Sequence, residues 1–370
     1  MLKLGFLKKL DWIIIGCVLL LSAIGLIILY SASIKAAQSF SPIDASKQLF
    51  YALSGIILLL LFAWFDYRLL KNYTFFLYIL MLVMLLIVEF FGKSAQGATR
   101  WIDIGFFQLQ PSEFAKLILI IVLAKFFAKN YDHSSELKYL LISLIYLIIP
   151  VGLVMAQPDL GTALVFIVIW LSMVLVSKVK KIYLAGMGTI AFLSLPVIIS
   201  RLKPYQRSRL ISLFRPTADP LGTGYNVNQS MITVGSGGWL GRGLSSGTQT
   251  QLNFLPSQNT DFIFAVLAEK LGFMGGILVI VLYMVLMIKG ILVARISNDR
   301  FGTFLSIGIV AMMLFHIIIN IGMNLGIMPI TGIPLPFLSA GGSIMLVSMI
   351  SVGILESIIV RNKKTLVFNQ

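Results

Sequence analysis

The chain alternates long apolar runs with short polar connections along almost its whole length. Runs of about 18 or more apolar residues are long enough for a helix to cross a bilayer. The pattern predicts ten such helices, at about 12–33, 48–65, 73–91, 112–128, 138–156, 160–177, 181–199, 261–289, 302–326 and 340–360. We therefore expect an all-α polytopic membrane protein, with residues 1–370 forming a single membrane domain.

One polar connection, about 201–260 between the seventh and eighth predicted helices, is much longer than the others. It is rich in glycine and serine, as in GSGGWLGRG at 235–243. Connections of more than about 12–15 residues are more often functional than decorative. This one leads directly into the eighth apolar run, and we expect Asp261 in the first turn of that helix.

The distribution of Lys and Arg residues predicts the orientation of the chain in the membrane. The net charge is +15, and most of the 29 Lys and Arg residues fall in short connections on one side of the predicted bundle. Because cytoplasmic connections are enriched in Lys and Arg, both termini are predicted to be cytoplasmic. In a membrane protein such a charge reflects orientation and anionic lipids, so no nucleic-acid partner is expected. The first apolar run is too long for a cleaved signal and is expected to remain as a span.

The long connection also carries basic residues, although the opposite side is preferred for them. They are Arg201, Lys203, Arg207, Arg209, Arg215 and Arg242. An anionic ligand would explain them, since Arg binds phosphate through a planar fork of N–H donors. A solvated loop that meets anionic lipid headgroups would explain them equally well, and composition leaves both open.

Three helices on the same side begin with a turn residue followed by an acid. The sequences QPSE, QPD and NTD place Glu113, Asp159 and Asp261 at one depth near the membrane boundary. An acid in the first turn stabilises a helix by about 0.3–1 kcal/mol without any chemistry. However, Lys116 lies one turn after Glu113 and can pair with it inside the membrane, where charges are costly and often functional. Carboxylates beside helix N-termini and arginines also suit acid–base work on a phosphorylated substrate.

Two further patterns have structural alternatives. Arg100 and Trp101 pair a cation with an amphipathic ring, which fits either a ligand site or an interfacial anchor. His316, Asn320 and Asn324 share one helical face, and hydrogen bonding between helices explains that stripe best. A single Cys and two distant His exclude a disulfide framework and make a zinc site improbable.

Several motifs in order resemble the shape, elongation, division and sporulation (SEDS) family over nearly the whole chain. They are QPSEFAK at 110–116, QPDLGTA at 157–163, DPLGTGYNVNQS at 219–230, GTQTQLNFLP at 247–256, TDFIFAVLAE at 260–269 and PLPFLSAGGS at 334–343. The wording of GTQTQLNFLP resembles members that act in cell elongation. The chain departs from the family pattern at Ser257, Asn259, Lys270 and Ala340, so the resemblance assigns no role to these flanking positions.

The resemblance implies a peptidoglycan glycosyltransferase of the plasma membrane. It would polymerise lipid II at the outer face, with inversion at the sugar, beside a class B penicillin-binding protein and the elongation machinery. The family's essential Asp carries over to Asp261 as general base, and its Glu and Lys carry over to Glu113 and Lys116.

For substrate binding, residues and resemblance together suggest Arg100, Asp159, Arg207, Arg209 and Arg242. A divalent cation, Mg²⁺ or Mn²⁺, is a candidate cofactor, and no organic cofactor is expected. Two alternatives remain open: a transporter that flips the lipid-linked precursor, and a scaffold that only recruits the transpeptidase.

Overall fold

The chain folds into a bundle of helices. The computed structural model describes residues 6–33, 45–95, 98–103, 105, 108–201, 223–252 and 254–362. The helices are α1 (Trp12–Ser33), α2 (Ala45–Trp64), α3 (Thr74–Phe91), α4 (Pro111–Lys129), α5 (Leu137–Ala156), α6 (Leu160–Val176), α7 (Lys181–Arg201), α8 (Thr223–Ser236), α9 (Thr248–Gln251), α10 (Ile263–Ile296), α11 (Arg300–Asn324) and α12 (Gly342–Asn362).

The prediction of an all-α polytopic membrane protein is confirmed. A helix occupies each of the ten predicted segments, with ends that differ by a few residues. Within the described residues, seven helices are long and apolar enough to cross a membrane, namely α1, α2, α3, α5, α10, α11 and α12. Helix α4 falls outside that group although it is largely buried, and it carries the charged pair Glu113 and Lys116.

A small antiparallel sheet, which the hydrophobic pattern did not predict, connects α3 to α4. Its strands are β1 (Lys93–Ala95), β2 (Ala98–Asp103) and β3 (Gln108–Leu109), in the order β1-β2-β3. Strands of two to six residues give too few alternations for a period of two to be visible in the sequence. The sheet matters because β2 carries Arg100 towards the start of α6.

The long connection between α7 and α10 contains two helices that the sequence analysis did not predict. Residues 202–222 lie outside the described part of the chain, and α8 and α9 follow them. Helix α8 packs against α10 and α11. Its buried positions include Val227, Ser230 and Thr233. These residues recur at intervals of three, but two of them are small and polar, so the helical pattern is not visible as hydrophobic periodicity.

Helix α10 is broken at Gly272, which has φ 68° and ψ −167°. The eighth predicted span is therefore two helical pieces, one before Gly272 and one after it. A break inside a membrane protein is tolerated only where other groups bind the freed backbone N–H and C=O groups. Here the glycine-rich segment 237–243 binds them.

Segment 237–243 supplies hydrogen bonds on both sides of the break. The bonds run from Arg242 N to Glu269 O (2.9 Å), Gly243 N to Lys270 O (3.1 Å), Phe273 N to Gly238 O (2.9 Å) and Met274 N to Trp239 O (3.2 Å). Two buried side chains of the helical piece before Gly272 bind the loop that follows segment 237–243. The Glu269 carboxylate accepts from the backbone N–H groups of Gln249 and Thr250, and Lys270 Nζ donates to Ser31 Oγ at 2.6 Å and Leu244 O at 3.0 Å.

Replacing Gly241 is expected to destabilise the protein more than replacing Gly243 or Gly235. Gly241 has φ 81°, and a Cβ there would lie 2.2 Å from Lys270 O, so the backbone would have to move. Gly243 has φ 83° but a Cβ there would meet no described heavy atom within 4 Å, so Gly243→Ala should cost only about 1–2 kcal/mol of left-handed strain. Gly235 has neither problem. Thermal unfolding in detergent should rank the losses as Gly241→Ala, then Gly243→Ala, then Gly235→Ala; equal losses would contradict the role of the close contact.

The two ends of the bundle differ in their chemistry. At one end, called here the basic end, cations from three helices and one connection pair with acids. The pairs are Lys289–Asp11 (2.8 Å), Arg361–Asp66 (3.2 Å), Arg300–Asp132 (2.7 Å) and Lys178–Asp132 (3.3 Å). The other end, where α4, α6 and α12 begin, contains a large cavity and is called here the cavity end.

Candidate active site

A cavity of about 530 Å³ opens among the starts of α4, α6, α10 and α12 and the sheet. Five of the eight predicted site residues line it, namely Arg100, Glu113, Lys116, Asp159 and Asp261. Residues from 332 to 344 form another part of its wall. Glu113, Asp159 and Asp261, which were predicted to lie at one depth, therefore line the same cavity.

Glu113 and Lys116 form a buried ion pair in the first turns of α4. Pro111 occupies the first turn, where its missing N–H has no intrahelical partner in any case. The three-residue spacing places both side chains on one face, and Lys116 Nζ lies 2.7 Å from Glu113 Oε1. Each side chain is only 2% exposed. Within the described chain Glu113 Oε2 has no hydrogen-bond partner, so this side of the carboxylate keeps accepting capacity.

Asp159 caps α6 and also contacts Arg100. Its carboxylate accepts from Thr162 N at 3.2 Å and from Thr162 Oγ1 at 2.8 Å. Arg100 Nη2 donates to Pro158 O at 2.5 Å, and Arg100 Nη1 lies 3.7 Å from Asp159 Oδ1. Asp159 is therefore the N-cap of α6 rather than an acid of its first turn, and it also anchors a cation at the cavity wall.

Asp261 lies in a turn that precedes α10, two residues before the first helical residue rather than in the first turn of the helix. Its backbone is held from a neighbouring helix, because Asn320 Nδ2 and Asn324 Nδ2 donate to Asp261 O at 3.0 and 3.1 Å. The side chain lines the cavity. A Cβ at Gly332 would lie 3.7 Å from Asp261 Oδ2, so this wall approaches the carboxylate closely.

The polar stripe on α11 bonds between helices, as predicted. Asn324 Oδ1 accepts from Ala265 N at 3.1 Å and thereby satisfies an N–H group in the first turn of α10. Asn320 Nδ2 also donates to Ile333 O at 2.8 Å, which ties the cavity wall to the same helix. These two Asn residues were assigned a structural role from spacing alone, and the structure shows that they fix the backbone at Asp261.

The segment PLPFLSAGGS, residues 334–343, forms a turn that lines the cavity. Ser339 Oγ accepts from Leu335 N at 2.8 Å and donates to Thr260 O at 2.6 Å. Ala340 N donates to Asn259 O at 2.9 Å. This turn therefore holds the residues that immediately precede Asp261. Only a three-dimensional contact reveals it, since about 80 residues separate the partners.

Three predicted substrate-binding residues are not brought to the cavity by the described structure. Arg242 lies on segment 237–243, where its Nε donates to Ser236 O at 2.7 Å in an exposed position. Arg207 and Arg209 lie outside the described residues. Conversely, the sequence analysis missed cavity residues such as Gln110 and Ser343, which are joined by a 2.9 Å bond from Gln110 N to Ser343 Oγ.

A divalent cation would need oxygen ligands at this site. Among the described residues, no three His, Cys, Asp or Glu side chains form a group that could hold a metal ion. The described cavity thus offers no preformed all-protein metal site. Mg²⁺, however, is commonly bound by one or two carboxylates together with phosphate oxygens and water.

Fold and site together define a polytopic helical membrane protein with paired and anchored charges in a cavity at one end of its bundle. The sequence profile of the FtsW, RodA and SpoVE cell cycle proteins matches residues 11–364. The chain belongs to this family, which is the SEDS family indicated by its motifs.

Individual relatives support the same assignment. The chain is 37% identical to the peptidoglycan glycosyltransferase MrdB of Escherichia coli K12, over 82% of each chain. It is 31% identical to the peptidoglycan glycosyltransferase RodA of Treponema pallidum, over 94% of this chain and 97% of that protein. It is 36% identical to the stage V sporulation protein E of Bacillus subtilis, over 94% and 96%.

Solved structures share the fold. One chain comes from a study of how a peptidoglycan synthase complex coordinates polymerization and crosslinking. It superposes with a TM-score of 0.81 at 28% identity, covering 95% of this chain and 97% of that chain. The rod shape determining protein RodA of Thermus thermophilus gives a TM-score of 0.67 at 25% identity, with the same coverage.

Proposed function

We propose that this protein is a peptidoglycan glycosyltransferase that polymerises lipid II into glycan strands during cell elongation. The observation that carries the proposal is the cavity, in which Asp261 lies in the same chamber as Lys116 and Arg100. A carboxylate and cations in one chamber suit proton removal at one substrate and neutralisation of phosphate at another. The names of the relatives MrdB and RodA support the same activity.

The cavity end faces the outer side of the plasma membrane in this proposal, and both termini are cytoplasmic. The basic end supports this orientation, because it contains Lys178, Lys289, Arg300 and Arg361. Cytoplasmic connections are enriched in such residues. With this orientation the cavity meets a lipid-linked donor in the outer leaflet.

The reaction is a single displacement at the anomeric carbon of the donor sugar. The acceptor's 4-hydroxyl oxygen forms the new bond to C1 while the bond between C1 and the phosphate oxygen breaks, which inverts the centre. The diphosphate leaves with the bonding electron pair. The hydroxyl proton passes to the Asp261 carboxylate, since a hydroxyl is a poor nucleophile at neutral pH. A positioned base contributes about 10²–10⁴-fold to such a step.

Cations at the wall stabilise the charge that develops on the leaving diphosphate. Lys116, oriented by Glu113, and Arg100, oriented by Pro158 O and Asp159, are the two that line the cavity in the described chain. Donors that are fixed before the reaction need no reorganisation in the transition state. Arg207, Arg209 and Arg242 are proposed to attract the anionic substrate from the long connection rather than to act at the reacting atoms.

A divalent cation is proposed to enter with the substrate, because diphosphate oxygens would supply the ligands that the cavity itself lacks. Removing Mg²⁺ and Mn²⁺ with a chelator should then reduce polymerisation, and adding either ion back should restore it. Product length on a gel is the readout. Undiminished polymerisation in the chelator would show that the protein's own cations are sufficient.

The proposed partner is a class B penicillin-binding protein, whose transpeptidase activity would crosslink the new strands. The solved relative that comes from a synthase complex coordinating polymerization and crosslinking supports this pairing. Membrane lipids and the elongation machinery complete the proposed surroundings.

The decisive experiment reconstitutes the chain, with and without the partner, in vesicles that carry labelled lipid II. Growth of glycan polymer would support the proposal. Movement of label across the bilayer without polymer would instead identify a flippase. If neither occurs and the chain only recruits the transpeptidase, the scaffold alternative holds.

A further inference from the structure

His316 is a buried side chain for which the proposed reaction has so far no use. It lies on α11, is 1% exposed and does not line the cavity. Its ring nevertheless bridges two parts of the site, because Nε2 lies 3.1 Å from Lys116 Nζ and Nδ1 lies 3.1 Å from Pro334 O. Both Lys116 and Pro334 line the cavity.

The two contacts determine which ring nitrogen carries the proton. A backbone carbonyl only accepts hydrogen bonds, so the short contact with Pro334 O requires that His316 Nδ1 donates. The Lys116 ammonium only donates, so His316 Nε2 must accept and carries no proton. The imidazole is therefore neutral in this arrangement, and the positive charge of the pair resides on Lys116.

The N–H groups of Lys116 can then be accounted for. An ammonium has three donors. One is directed at Glu113 Oε1 at 2.7 Å and a second at His316 Nε2 at 3.1 Å. Because the donors are tetrahedral, fixing two directions fixes the third. With Glu113 alone the ammonium would be held by one hydrogen bond, whereas with both acceptors it is held by two, so its position and the direction of its third N–H are restrained more tightly.

We propose that His316 is a positioning residue that directs the third N–H of Lys116 into the cavity, towards the diphosphate of the donor. This inference rests on the proposed function for the identity of the ligand, and on the contacts among Glu113, Lys116 and His316 for the geometry. A charge-assisted bond to phosphate requires a donor that points at the oxygen. His316 supplies that direction without touching the substrate.

The test is a double-mutant cycle that joins His316 and Lys116. His316→Phe keeps a buried ring but removes the acceptor, and it should raise the KM for lipid II about tenfold, the scale of one lost hydrogen bond to a charged group. His316→Gln, which offers an amide oxygen to Lys116, should restore most of the affinity. In a Lys116→Met background, where polymerisation is expected to be lost and binding of undecaprenyl diphosphate is measured instead, His316→Phe should cause no additional loss of affinity. A purely structural role predicts the same additional loss in both backgrounds, and that outcome would overturn the proposal.

A binding measurement separates this inference from the proposed activity. The purified chain is titrated with undecaprenyl diphosphate and with undecaprenol, which has the same tail but no phosphate. His316→Phe should weaken binding of the diphosphate alone; equal weakening of both ligands would also contradict the proposal. Met313→Leu, a buried change on the same helix, is the matched control and should alter neither affinity. Selective diphosphate binding without any polymer would refute the glycosyltransferase function yet leave the role of His316 intact.

Discussion

Asp261→Asn is expected to abolish glycan polymerisation from purified lipid II while the protein remains folded and inserted. The substitution keeps the shape of the side chain but removes the negative charge that we propose takes the proton of the 4-hydroxyl. A loss of about 10²–10⁴-fold corresponds to the removal of a general base. The backbone anchors of this residue, Asn320 and Asn324, bind Asp261 O rather than its side chain, so the turn should keep its conformation.

A matched control uses an acid at the basic end. Asp132 is exposed and pairs with Arg300 and Lys178, which lower the pKa of its carboxyl below the usual value. Because exposed ion pairs contribute little to stability, Asp132→Asn should leave both folding and polymerisation near the wild-type level. Retained polymerisation by Asp261→Asn, measured as glycan length from purified lipid II, would remove the proposed base.

Replacing Glu113 and Lys116 is expected to have non-additive effects on both activity and stability. Each single replacement should lower the stability, whereas replacing both should restore much of it. Glu113→Ala leaves a buried ammonium without its carboxylate, and Lys116→Ala leaves a buried carboxylate without its ammonium. Breaking a buried pair on one side costs about 3–5 kcal/mol of unfolding free energy, whereas replacing both partners by apolar residues is often neutral. The double variant Glu113→Leu/Lys116→Met should therefore regain much of the stability that either single variant loses.

Activity should not return with stability. If the role of Glu113 is to orient Lys116 towards the diphosphate, polymerisation should be lost in both single variants and in the double variant. The loss in the double variant should then be much smaller than the sum of the two single losses in activation free energy. The control is the Asp11–Lys289 pair at the basic end, whose removal should leave polymerisation unchanged. Simple additivity of the two activity losses would show that the residues have independent roles, and an active double variant would show that the pair serves stability alone.

How far the sequence predicts this site depends on the range of each contact. The pair Glu113–Lys116 follows from a three-residue spacing on one helix, and the N-cap at Asp159 follows from a local turn pattern. The common depth of the acids follows from counting spans. Each of these inferences uses local chemistry or topology, both of which a single sequence contains.

The contacts that complete the site are not local, and no spacing rule points to them. Arg100 reaches Pro158 only because a short sheet turns β2 towards α6, and strands of that length leave no periodic signal. The link between Lys116 and His316 joins residues 200 positions apart. From its spacing, His316 was interpreted as part of a polar stripe with Asn320 and Asn324. The spacing shows that these residues share one face of the helix, but it does not show which residues of other helices that face contacts.

The break at Gly272 bears on how inactive variants of this protein should be interpreted in genetic screens. The short helical piece that follows Asp261 is held by backbone contacts with segment 237–243, and at Gly241 and Gly272 a side chain has no room. A cell with a substitution at either glycine is expected to lose its shape as if the proposed general base, Asp261, had been replaced, although no group that takes part in the proposed reaction had changed. Measuring protein abundance beside growth would separate such folding lesions from true losses of chemistry.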